Sequence, residues 1–273
     1  MSEAFDIAII GGGPGGYSTA LRAAELGKRV AMIERDATLG GTCLNRGCIP
    51  SKALISATHA IDSIRYAGEL GISATINGID YGTLHDYKKR IVDTMTQGLA
   101  GLLAHRGVTV FRGVASITGA ARPITVHIAA SADGQGVQRS VRSDVPEDIG
   151  PSYDITAQDV VLAMGSAPRQ LPGEPFRGAI IDSTRAMSMA MPHNAVIIGA
   201  GAIAAEFASM WNAAGCKVTM LIRKDRVLSG WDRRAGVTLT RELKRHGIDV
   251  IDRSTVTHID TGVNMGALVH YTS

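Results

Sequence analysis

The chain has 273 residues, 45% of them hydrophobic, with 28 Lys and Arg against 25 Asp and Glu, for a formal net charge of +3. That length is enough for two hydrophobic cores, and so small a charge, spread along the chain, excludes nucleic-acid or membrane-surface electrostatics as its leading mode of action. The opening Met-Ser-Glu-Ala-Phe-Asp has neither the positive region nor the apolar run of a secretory signal, and no apolar stretch is long enough to span a bilayer. The expected location is the cytoplasm, with neither nucleic acid nor membrane as a partner.

Phe5 to Ile10 reads as a buried parallel strand, followed by Gly11-x-Gly13-x-x-Gly16, with Pro14 and Gly15 between, and an alanine-rich helix to about Gly27. Gly11 permits a tight turn, Gly13 lets backbone approach a pyrophosphate, and Gly16 allows close helix packing, while the helix N-terminus offers unpaired N–H groups. Arg29 to Ile33 predicts a second strand, and Glu34 at its end stands where a carboxylate accepts a hydrogen bond from a ribose hydroxyl.

Next comes Gly40-Gly41-Thr42-Cys43-Leu44-Asn45-Arg46-Gly47-Cys48-Ile49-Pro50-Ser51-Lys52. A Cys-x4-Cys step closes too small a loop to contribute much chain-entropy stabilisation. Reversible redox chemistry, buried structural thiols and half of a metal site all fit the pair alone. A helix starting near Pro50 would lend N-terminal potential to the sulfurs.

Helical periodicity then spans Ala53 to Leu70 and Leu84 to His105, and short strands follow at Val108 to Ile117 and Ile124 to Ala129. Ser131 to Ser152, rich in Gly, Ser, Asp and Pro, reads as an exposed loop and the segment most prone to disorder. Val160 to Ala163 re-enters the sheet, and Gly165 to Gly173 leads onward. The expected fold class is α/β, with two doubly wound Rossmann-like dinucleotide-binding domains, residues 1–150 and 151–273.

The chain repeats itself. Shifting it so that Gly11 meets Gly199 also matches Ala8-Ile9-Ile10 with Val196-Ile197-Ile198, Gly13 with Gly201, Gly27 with Gly215 and Val30 with Val218. In the second copy Gly16 becomes Ala204, and Glu34 becomes Ile222 followed by Arg223-Lys224-Asp225-Arg226. Such a basic tip is either a solvated turn or a seat for a 2′-phosphate, and the loss of the acid favours NADP over NAD. Cys216, at a helix-to-strand junction, reads as a structural thiol.

The segment GGTCLNRGCIPSK after one fingerprint, then VVLAMGSAPRQLPG, then GAGAIAAE, resembles the flavoprotein disulfide oxidoreductases with two dinucleotide sites, and CIPSK most resembles the dihydrolipoamide dehydrogenases among them. The resemblance implies FAD on the first copy, with Gly11, Gly13, Pro14, Gly15, Gly16, Glu34, Arg35, Gly41, Thr42, Lys52, Gly113, Ala115 and Gly165 around it. It implies a nicotinamide cofactor on Gly199, Gly201, Ala202, Ile203, Glu206, Arg223 and Lys224, with Val256 by its adenine. Cys43 would meet the disulfide substrate, Cys48 would lie against the flavin, and Lys52 near the flavin would pair with Glu206; without the resemblance Glu206 is an ordinary exposed helix residue. The implied substrate is a small disulfide or a lipoyl-protein.

The resemblance also implies a returning FAD-domain segment and a dimerisation domain with an acid–base His and Glu beyond Ser273. The first domain is therefore expected to be unfinished, this chain inactive alone, and its parent a homodimer. Ala204, Ile222, Arg223 and Lys224 depart toward the NADPH-dependent members, so an NADPH-driven reductase of a low-molecular-weight disulfide stays open, as does a catalytically silent nucleotide-binding module.

Overall fold

The computed structural model describes residues 3–131, 136–141, 146–263 and 266–273. The chain divides into two compact units, Met1–Pro50 with Lys89–Ala167, and Ser51–Lys88 with Pro168–Ser273.

In the first unit, β1 (Glu3–Ile10) leads through the glycine turn into α1 (Pro14–Glu25) and back to β2 (Val30–Glu34). All five residues of β2 are buried, as befits a parallel strand covered on both faces. The short helix α2 (Gly41–Arg46) follows, then α3 (Cys48–Tyr66), which crosses into the second unit after Pro50, and α4 (Tyr81–His105), which returns at Lys89. Six strands complete the sheet: β3 (Thr109–Arg112), β4 (Val114–Gly119), β5 (Ile124–Ala129), β6 (Gln138–Ser140), β7 (Glu147–Asp148) and β8 (Ser152–Leu162).

Their order is β4-β5-β8-β1-β2-β3-β6-β7. The four central strands are parallel and the flanking pairings antiparallel. From β1 the chain winds out through β2 to β3, while β8 comes in on the other side. That makes β1 the switch point of the sheet, where open α/β sheets hold their ligands.

The second unit contains α5 (Ser183–Ala186), β9 (Asn194–Ile198), α6 (Ala202–Ala213), β10 (Lys217–Leu221), α7 (Arg233–Arg245) and β11 (Asp249–Ile251), followed by the hairpin β12 (Thr255–Val263) and β13 (Gly266–Thr272). Its sheet is parallel, in the order β11-β10-β9. Val218, Met220 and Ile222 pack there against Phe207, Met210 and Trp211.

Two expectations are corrected. The division does not fall at 150: β8 pairs with β1 along its length, and Ile155 and Ala157 are fully buried in the first unit, which runs on to Ala167. Polar residues at Asp154, Thr156, Gln158 and Asp159 disguise that strand in the sequence. The segment Ser131 to Ser152 is also more than a loop, because fully buried Val137 anchors β6 and β7. Residues 132–135 and 142–145 of that segment lie outside the described residues.

The two glycine turns differ in tightness. A Cβ on Gly16 would stand 1.8 Å from the Gly11 carbonyl oxygen, whereas in the second copy the nearest atom to a Cβ on Gly199 is the Cβ of Ala204, 3.9 Å away. Gly16→Ala is expected to destabilise the chain by about 2–4 kcal/mol. Ala204→Gly should cost about 1 kcal/mol, the difference in helix propensity. Urea midpoints of the two variants check both.

Candidate functional site

The carboxyl ends of β1, β2, β3 and β8 meet around the first glycine turn. The Gly11 amide donates to the Ile33 carbonyl (2.8 Å), Gly113 to Glu34 (2.9 Å), and Ala163 to Ile10 (2.8 Å). Gly11 has φ of +108°, and a Cβ there would lie 2.2 Å from the Ala163 oxygen, so only glycine fits. Gly13 is the N-cap of α1 with no side-chain cap, and Pro14 begins the helix. Glu34 is buried; its carboxylate accepts from the Gly12 amide (2.7 Å) and from the Asp36 amide (2.9 Å). A carboxylate has about four acceptor positions, so this leaves capacity for a hydroxyl.

The dithiol segment rests on this turn. The Gly40 amide donates to the Gly12 carbonyl (2.9 Å), and Gly40 and Gly41 both have positive φ, +107° and +56°. A Cβ on Gly41 would stand 2.7 Å from the Gly13 Cα, so the approach requires glycine at Gly41. Thr42 is exposed, Cys43 is half-buried in α2, and Cys48 is exposed at the start of α3. Pro50 lies in the first turn of α3, which begins at Cys48 rather than at Pro50 itself.

Asn45, which the sequence reading passed over, shapes this segment. Its amide donates to the Leu39 and Gly41 carbonyls (3.0 and 3.1 Å) and its oxygen accepts from Thr38 (2.8 Å). Arg46 pairs with Asp36 at 2.6 Å. The only signal for these was an Asn and an Arg sitting between two cysteines.

In the second unit, Lys52 Nζ lies 2.6 Å from Glu206 Oε1, and the Ser51 hydroxyl donates to the other Glu206 oxygen at 3.3 Å. With side chains 58% and 31% exposed, the pair contributes at most about 1 kcal/mol. Gly199 has φ of +137°, Gly201 is the N-cap of α6 with no side-chain cap, and Ala202 and Ile203 are exposed in its first turn. Nothing lies within 4 Å of a Cβ on Gly201, which leaves open space in front of the helix end.

Ile222 is fully buried where its counterpart Glu34 carries a carboxylate. Beyond it Arg223 and Lys224 are exposed, and Arg226 turns inward to Asp225 (2.9 Å) and the Ser229 carbonyl (3.2 Å). The Leu228 amide ties this tip to the second glycine turn through the Ala200 carbonyl (2.7 Å), and Arg253, unnoticed in the sequence, donates its amide to the Lys224 carbonyl at 3.3 Å.

The remaining residues fall into two groups. Arg35 is exposed beyond β2, Gly113 is buried against the Ala129 carbonyl, Ala115 lies in β4, and Gly165 has positive φ just after β8, all in the first unit. Val256 is half-buried in β12, opposite Tyr271. Among the described residues no group of three or more His, Cys, Asp or Glu is placed to hold a metal ion, and no helix is long and apolar enough to cross a membrane.

Comparison with known proteins agrees with this architecture. Residues 5–270 match the family model described as pyridine nucleotide-disulphide oxidoreductase. A dihydrolipoyl dehydrogenase from Chlamydia pneumoniae is 34% identical over 97% of this chain and 52% of its own length. Dihydrolipoyl dehydrogenase 3 from Pseudomonas aeruginosa is 38% identical over 91% of the chain and 50% of its own length. The crystal structure of LpdA from Mycobacterium tuberculosis superposes with a TM-score of 0.82 at 26% identity, covering 99% of this chain and 55% of that one. The chain spans about half the length of the curated relatives it matches.

The three cysteines differ in accessibility. Burial pushes the Cys216 thiol up, so it holds its proton further into alkaline solution than an ordinary cysteine. After reduction, alkylation at about pH 8 is expected to modify exposed Cys48 first and Cys43 next, and to reach Cys216 only on unfolding. Mass spectrometry of timed samples reads the order.

Proposed function

The chain belongs to the pyridine nucleotide-disulphide oxidoreductase family, and from that premise we propose that it is the dinucleotide-binding and dithiol-bearing portion of a flavin-dependent dithiol–disulfide oxidoreductase of the dihydrolipoyl dehydrogenase type. The observation that carries this reading is the close approach of Gly41 to Gly13, which seats the Cys43–Cys48 segment on the first fingerprint turn. A buried structural pair has no need of that location.

The residues fit a dinucleotide at each turn. Helices α1 and α6 begin at glycines without side-chain caps, so their leading N–H groups and positive potential are available to a pyrophosphate. Glu34 supplies the ribose acceptor of the first site, and FAD is the group assigned there. When bound, FAD supplies two-electron exchange between nicotinamide and dithiol. Gly11, Gly13, Pro14, Gly15, Gly16, Arg35, Gly41, Thr42, Gly113, Ala115 and Gly165 would hold it, and Glu206 keeps the Lys52 ammonium compensated.

The thiol chemistry belongs to the chain itself. The Cys43 thiolate attacks one sulfur of a substrate disulfide, a new S–S bond forms, and the other sulfur leaves as a thiol after taking up a proton. Cys48 then attacks Cys43, closing the Cys43–Cys48 disulfide and releasing the second thiol. The reverse sequence oxidises a dithiol such as a dihydrolipoyl group.

For the nicotinamide site, at Gly199, Gly201, Ala202, Ile203 and Glu206 with Val256 beyond, we favour NADP(H). Aliphatic Ile222 offers no hydroxyl acceptor, and exposed Arg223 and Lys224 suit a 2′-phosphate. The whole protein is assigned as a cytoplasmic homodimer acting on a small disulfide or lipoyl-protein.

Two titrations test the assignments. FAD added to the purified chain should bind one-to-one, followed by loss of flavin fluorescence, and Gly13→Val should abolish binding while Gly201→Val leaves it; binding that ignores Gly13→Val overturns the first site. NADPH should bind more tightly than NADH, and R223E/K224E should weaken NADPH by about tenfold or more with NADH unchanged. A preference for NADH in the parent chain rejects the 2′-phosphate seat.

A further inference from the structure

Lys88, in the part of α4 that belongs to the second unit, stands apart from the other lysines with described partners. Lys52 pairs with Glu206 and Lys89 with Asp93. Lys88 instead donates to the carbonyl of Met187, the C-cap of α5, at 2.7 Å, and lies 3.0 Å from Nδ1 of His85, one turn earlier on the same helix. Neither partner is a carboxylate, and among the described residues no carboxylate pairs with the amine. The neighbourhood is apolar: His85 lines a narrow cleft with Leu84, Met187, Met189 and Met191.

We propose that Lys88 is a nucleophilic amine, a site of Nε-acylation by activated acyl groups of the thioester class, with His85 as the acceptor of its proton. The chemistry follows from the pairing. With the His85 proton on Nε2, Nδ1 presents a lone pair to the Lys88 ammonium and takes a proton from it. The neutral amine attacks the thioester carbonyl, a C–N bond forms as the C–S bond breaks, the departing thiolate takes up the proton lost by the attacking nitrogen, and the proton held by His85 passes to solvent. The products are an uncharged amide and a free thiol.

Burial lowers the proton affinity of Lys88, which raises the share of neutral amine near neutral pH. No carboxylate opposes that shift, and His85 is the titratable group facing the amine. The amide keeps one N–H for the Met187 carbonyl but carries no charge, so acylation would change how α4 holds the end of α5. The assignment is independent of the flavin and nicotinamide sites.

The test incubates the full chain with the acetyl thioester of a small thiol at about pH 8 and measures acetylation of each lysine by peptide mass spectrometry over time. Lys88 is expected to react about threefold faster or more than exposed Lys28 and Lys89. His85→Gln should slow Lys88 toward their rate while leaving the urea midpoint of the chain unchanged, because unfolding alone would also bring Lys88 to the rate of an exposed lysine. Lys88 reacting no faster than Lys89 in the unaltered chain overturns the proposal. Preferential Lys88 labelling that persists unchanged in His85→Gln overturns the role of His85.

Discussion

Everything at the candidate site depends on chain segments approaching more closely than side chains permit. Gly16 sits over the Gly11 carbonyl, Gly11 against the Ala163 carbonyl, and Gly41 against Gly13. The first contact brings α1 close to the strand it follows, the second locks the turn to β8, and the third lays the dithiol segment across the helix end. These contacts require the absence of Cβ atoms rather than the presence of any polar group. The same glycines therefore serve packing and ligand approach at once.

The second copy shows which parts of that arrangement are separable. At the first turn the Gly12 amide is held by the Glu34 side chain. The Gly12 carbonyl accepts from Gly40, and the counterpart carbonyl, of Ala200, accepts from Leu228, which stands at the same repeat position as Gly40. The second turn keeps that backbone bond without a carboxylate, and Ile222 joins the core beside Val227. The acid is thus absent without unmaking the turn. Relaxation of Gly16 to Ala204 follows from the wider spacing there. The repeated pattern therefore keeps its turn while the side chain at the end of its second strand changes from a carboxylate to an aliphatic group.

Much of this was legible in the sequence because it is local. Strand, turn, helix and second strand are consecutive, and glycine spacing reports directly on backbone geometry, so both fingerprints, Glu34 and the exchange to Ile222 could be read without coordinates. What escaped was set by distant partners. The units interleave, so no composition shift marks the passage through α3 and α4, and β8 joins the first sheet through pairing with β1, which its alternating polar residues conceal. Asn45 acts through two carbonyls earlier in the chain, those of Leu39 and Gly41, and Arg253 reaches the basic tip by a backbone bond from another loop. Neither contact leaves a spacing that a pattern reading detects.

The helix ends carry the last step. Asp80, Asp182 and Asp232 accept amides at the starts of α4, α5 and α7. Asp80 is held below the usual carboxylate range, first by the Thr83 hydroxyl and then by the Thr83 amide, as an acceptor whose ionised form the helix end favours. Replacing such a cap by an apolar residue costs about 0.5–2 kcal/mol, so the chain uses it where stability alone decides. Helices α1 and α6 forgo it, begin at glycine, and have no acidic residue in their first turns. An acid there would satisfy the N–H groups internally and repel an anion. The short helix α2 also follows a glycine without a side-chain cap, but of the open helices α1 and α6 are the ones that follow the fingerprint strands, at the carboxyl edges of their parallel sheets, where a free helix end suits a pyrophosphate.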